Sequence, residues 1–180
     1  FEIAEFQDQA NYLRVPLPNL RFIATQSAKL NQSIILNPSQ WSNKKGIKKL
    51  LSHFYNQSFL SINNEQERIG NSFNLNPFDL SENEQISLNF NFRNSIYYNR
   101  GLEKYSTTYT FANSENKQQY LIGSQDSDTQ FHQVDFQHKI GKFWLVDLLG
   151  KLSENNLETE NFDNRNYQID ALELQPKISY

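Results

Sequence analysis

Residues 86 to 98 read Ile-Ser-Leu-Asn-Phe-Asn-Phe-Arg-Asn-Ser-Ile-Tyr-Tyr. Ile86, Leu88, Phe90 and Phe92 recur at every second position, and Ser87, Asn89, Asn91 and Arg93 fill the positions between. A helix would scatter these side chains around its axis, whereas a strand sorts them onto two faces, one apolar and one wet. Tyr97 and Tyr98 close the run, and Asn99-Arg100-Gly101 supplies a turn.

The same period returns along the chain. It spans Leu20 to Leu36 on the even positions, with Ile23 and Ile35 out of phase, and Asn37-Pro38-Ser39 breaks it. Further strands are expected at Tyr55 to Asn63, Tyr105 to Phe111, Gln119 to Ser124, Phe131 to Ile140, Lys142 to Leu152 and Tyr167 to Tyr180. Residues 113–118 and 125–130 read as gaps, residues 64–85 as a polar loop, and Ser153 to Asn166 as a long acidic loop. A hairpin-sized gap at Ile140-Gly141 followed by that loop suggests tight turns at one end of the sheet and long loops at the other.

One stretch keeps a different period. Ile47, Leu50, Leu51 and Phe54 are spaced as one helix face, with Lys44, Lys45, Lys48 and Lys49 mostly opposite. A short basic amphipathic helix is expected over 42–54, capped by Ser42 or Asn43. It lies along an anionic membrane surface or presents a solvated lysine face. The expected organisation is therefore an irregular lead-in and first strand or strands over 1–41, the helix over 42–54, and antiparallel strands and loops over 55–180.

Mean hydropathy is -0.73 and hydrophobic residues are 37% of the chain, so no apolar helix crosses a membrane here. That average leaves a barrel open, because its inward residues and loops are polar. The 14% aromatic content is too rich for a disordered tail. With Cys 0, disulfide, zinc-thiolate and thiol chemistry are absent. A net charge of -3, with basic residues scattered apart from one cluster, argues against nucleic acid as a partner. Met 0 and the start Phe1-Glu2-Ile3 suggest a processed chain or an internal piece of a longer one.

Residues 86–180 resemble the outer-membrane β-barrel proteins of Gram-negative bacteria, in texture the large surface barrels of the Bacteroidota. The carriers are the alternating runs at 86–98, 105–111, 131–140 and 167–180, the Tyr- and Trp-rich strand ends, and the aromatic Tyr180 after Leu172, Leu174 and Ile178. Pro176 departs from the family's terminal pattern. The resemblance implies an all-β, mainly antiparallel fold: a transmembrane β-barrel or part of one. It also implies residence in the bacterial outer membrane and a role in transport, secretion or assembly. The partners it implies are outer-membrane lipid and other envelope proteins of a larger complex. Leu88, Phe90 and Phe92 are then expected to face lipid, Tyr97, Tyr98 and Trp144 to sit at the interface, and Arg93 to be a lumen charge balanced by a carboxylate.

Catalytic and metal-binding readings find little to stand on. His132 and His138 share a strand face about 20 Å apart, too far for one metal, and His53 has no paired ligand nearby. Asp126-Ser127-Asp128 and the acidic stretch 154–163 lack the EF-hand spacing. Asp147 and Glu173 are carboxylates with nothing to bring them together, and no nucleophile, zinc or phosphate-loop motif occurs. Asn31-Gln32-Ser33 and Asn56-Gln57-Ser58 are glycosylation sequons that matter only in a eukaryotic secretory protein. No enzyme activity and no cofactor is expected. The competing expectation is a soluble β-sandwich that binds polysaccharide or a protein partner, with tyrosines and Trp144 as a stacking platform.

Overall fold

The computed structural model describes residues 23–68, 70, 76–78, 85–101, 104–120 and 123–180. The elements are β1 (Thr25–Leu36), a single turn of 3-10 helix at Pro38–Trp41, α1 (Ile47–Leu51), β2 (Phe54–Glu67), β3 (Gln85–Tyr98), β4 (Tyr105–Tyr120), β5 (Gly123–Ile140), β6 (Trp144–Thr159), a second 3-10 turn at Asp163–Arg165, and β7 (Tyr167–Ser179). The seven strands form one sheet in sequence order, each antiparallel to the next. Among the described residues the sheet is open: β1 and β7 are its edges, and they run in the same direction.

The strands are long. β5 has 18 residues, about 59 Å of extended chain. They run well past their apolar segments. Residues 113–118 belong to β4 and 125–130 to β5, where gaps were expected. β6 continues to Thr159, so Glu154 and Glu158 lie in a strand and the connection to β7 shrinks to residues 160–166. Conversely, the expected strand at Gln119 to Ser124 straddles the β4–β5 turn. The reason is common to all three: a strand is held by its backbone ladder, and hydrogen-bonding side chains extend it without any apolar alternation. The ladder reaches beyond the strand ends, as in Glu160 N–H to Ser124 O at 3.0 Å and Lys139 N–H to Lys104 O at 2.8 Å.

Connection lengths do not divide the sheet into a short-turn end and a long-loop end. The tight β5–β6 turn at 141–143 and the long β1–β2 connection at 37–53 leave one end, and the tight β4–β5 turn and the long β2–β3 connection leave the other. The helix is also shorter than the spacing suggested. Gly46 is its N-cap at φ 70°, and this left-handed residue stops the helix from reaching back to Ser42 or Asn43. Phe54 opens β2 instead of completing a helical stripe.

Among the described residues, only Ile62 and Leu88 are buried hydrophobics. They lie on neighbouring strands with Asn64, which pairs directly with Leu88. Every substantial strand contact is with a neighbour in the sheet, so among the described residues no second layer covers either face.

Candidate functional site

Directly paired residues of an antiparallel ladder share a face, so the register sorts every side chain. One face, the aromatic face, carries the even positions of all strands except β4, which contributes its odd ones. It holds Leu88, Phe90, Phe92, Ile96 and Tyr98 on β3, Tyr109 and Phe111 on β4, Val134 and Phe136 on β5, Val146, Leu148 and Leu152 on β6, and Leu172, Leu174 and Ile178 on β7. The opposite, polar face is rich in Ser, Thr, Asn and Gln. There Ser95 and Thr110 hydrogen-bond across strands at 3.1 Å, Ser61 to Asn31 at 2.7 Å, Ser114 to Asn91 at 2.8 Å and Gln137 to Asp147 at 2.9 Å.

The apolar run steps along the aromatic face between β3 and β4 and then stays level, with Leu152 on β6 and Leu172 on β7 in register with His132 and Phe111. Phe90 on β3 lies in register with Glu115 on β4, and Glu115 with Asp128 on β5. The apolar positions of β4 and β5 lie farther along, at Phe111 and Val134. These positions form one stepped belt of apolar side chains across the sheet. Polar side chains within the belt hydrogen-bond one another: Asn94 to Ser58 at 2.6 Å, Ser58 to Asn56 at 3.2 Å, and Tyr109 with His132 at 2.8 Å.

One end of the sheet is a rim of rings. Phe54 packs on Tyr98 at 5.0 Å, Tyr98 faces Tyr105 at 6.2 Å, and Tyr105 faces His138 at 6.4 Å. Phe143 and Trp144 both pack against Tyr180, at 6.0 and 5.1 Å. Arg100 lies over Tyr55 at 4.2 Å and Tyr97 at 5.2 Å. This end is also basic, with Lys44, Lys45, Lys48, Lys49, Arg100, Lys104, Lys139 and Lys142 in or beside its connections. Acidic residues collect at the far end: Glu65, Glu67, Glu115, Asp126, Asp128, Glu154, Glu158 and Asp170. Lys117 lies among them, 3.5 Å from Glu115 and 3.7 Å from Asp126.

The residues singled out in the sequence divide between the faces. Leu88, Phe90, Phe92, Tyr98 and Trp144 share the aromatic face, but Leu88 is closed off at 1% exposure near the acidic end. Tyr97 stands on the polar face beside Tyr55. Arg93 is on the polar face too, and its direct neighbours are Phe59 and Ala112, so the expected carboxylate does not stand opposite it. His132 is held by Tyr109 and by Gln130 at 3.2 Å, and His138 stacks on Phe136. Asp147 and Glu173 share the polar face but pair with Lys177 and Lys151, about 13 Å apart along the strands. Among the described residues no group of three or more His, Cys, Asp or Glu is placed to hold a metal ion. Sequence reasoning missed Phe54, Tyr105, Phe143 and Arg100, whose signal was position: each is at a strand end or in a turn. Comparison with protein-family models, curated proteins and solved structures gives no match.

Proposed function

We infer that this sheet is a wall of an outer-membrane β-barrel, a non-catalytic segment of a protein of transport, secretion or assembly. The observation that carries the reading is the aromatic face, which is buried at Leu88 but stays exposed at Ile96, Val134, Phe136, Leu148 and Leu152 on strands bonded on both sides, with no second layer over it among the described residues. In water such a face is a liability, whereas against acyl chains it is the solvated surface. The polar face suits a wet lumen, and the ring-rich rim suits the headgroup level. A soluble sandwich would need a second sheet over the phenylalanines.

Both tryptophans, Trp41 and Trp144, lie near the rim end, so their fluorescence tests the reading directly. The full chain is purified in detergent, reconstituted into phosphatidylcholine vesicles, and titrated with brominated lipids of different depth. The expected result is quenching strongest for bromines near the headgroups, together with heat-modifiable gel mobility. A chain that stays monomeric without detergent and shows no quenching overturns it.

A further inference from the structure

The β1–β2 connection combines three features that no strand pairing requires. A groove of about 460 Å³ opens where β1 ends, lined by Ile35, Leu36, Pro38, Trp41, Leu51 and Phe54 among others. Above it α1 buries none of its residues, leaving Ile47 76% and Leu50 56% exposed. The same connection carries Lys44, Lys45, Lys48 and Lys49, all exposed, and no Asp or Glu occurs from residue 23 to residue 64. In a chain of net charge -3, this is a local excess of positive charge beside unsatisfied apolar surface.

We propose that this connection binds an anionic phospholipid, with an acyl chain in the Trp41–Leu51 groove and the four lysines on the headgroup phosphate. Charge complementarity selects the occupant. An apolar peptide would leave the lysines idle, and a free phosphate would leave the groove empty. A lipid with an anionic headgroup uses both, and basic residues beside exposed apolar ones are the pattern of an interfacial anchor. The position agrees: the groove continues the aromatic face at its ring-rich, basic end, the level assigned above to headgroups. The inference rests on the membrane reading, and the two are separable by experiment.

The probe is brominated phosphatidylglycerol against brominated phosphatidylcholine, offered to the detergent-solubilised full chain in mixed micelles. Trp144→Phe leaves Trp41 as the reporter, and Trp41→Phe leaves Trp144. The expected result is that phosphatidylglycerol quenches Trp41 at on the order of tenfold lower mole fraction than phosphatidylcholine, a preference that shrinks with added salt. It should vanish when Lys44, Lys45, Lys48 and Lys49 are all changed to Gln, exposed positions whose replacement leaves the sheet intact. Trp144 should respond to both lipids alike. Inorganic phosphate alone should not change Trp41 emission. Equal quenching of Trp41 by both lipids, an undiminished preference in the quadruple variant, or a phosphate response as large as the lipid's overturns the proposal and leaves the membrane reading standing. No quenching of either tryptophan by any lipid overturns both.

Discussion

Trp144 and Tyr180 lie on the same face of adjacent strand ends, ring centroids 5.1 Å apart and planes tilted by 56°. Tyr180 is 86% exposed, so water gains little from the pair, while a headgroup layer would surround it. Trp144→Ala should therefore cost about 1 kcal/mol of stability in lipid vesicles, measured by urea unfolding, and much less in a detergent-free aqueous sample.

Neighbouring positions on β5 separate the two faces. Val134 is 45% exposed on the aromatic face, and Gln133 points the other way. Val134→Arg should destabilise the reconstituted protein by ~2–4 kcal/mol, whereas Gln133→Arg should change it by less than about 1 kcal/mol. In a water-soluble sheet a half-exposed valine would accept arginine within roughly 0.5 kcal/mol, so unfolding midpoints of the two variants decide between lipid and water.

The buried pair Ser95–Thr110 is a test of the polar face. Thr110→Val leaves the Ser95 hydroxyl without its partner and should cost about 1–2 kcal/mol. Adding Ser95→Ala should recover part of that loss in a double-mutant cycle, because both polar groups are then gone.

Gly123 opens β5 at φ 119°, where a methyl group would sit 2.5 Å from Asn161 Nδ2 and 3.2 Å from Glu160 Oε2. The Glu160 carboxylate accepts the Ser124 N–H at 2.9 Å, so the crowded side chain also holds the turn. Gly123→Ala should lower stability by about 1–3 kcal/mol, read from the unfolding midpoint.

The alternating strands were legible because their side chains report their own neighbours. Ile86 to Phe92, Tyr105 to Phe111 and Phe131 to Ile140 all lie in strands. The polar halves of β4, β5 and β6 were not legible, since Asn113, Ser114, Gln130 and Asn155 are held by ladder partners far away in sequence. The opposite faces of the adjacent tyrosines, by contrast, follow from the two-residue period alone. Tyr97 and Tyr98 must point opposite ways in a strand, so they cannot both stand on the aromatic face. The rim was legible only in part: Tyr98 and Trp144 stood out at strand ends, but Phe54, Tyr98, Tyr105 and His138 come together only when four strands align.

The two edges share a heading, and that has an arithmetical result. In a ring whose neighbours all run up and down, directions must cancel around the circuit, so the total is even. Bringing β1 against β7 directly would set two like-directed strands side by side. Any ring built on this sheet with alternating strands must therefore take in one, three or another odd complement between Tyr167–Ser179 and Thr25–Leu36.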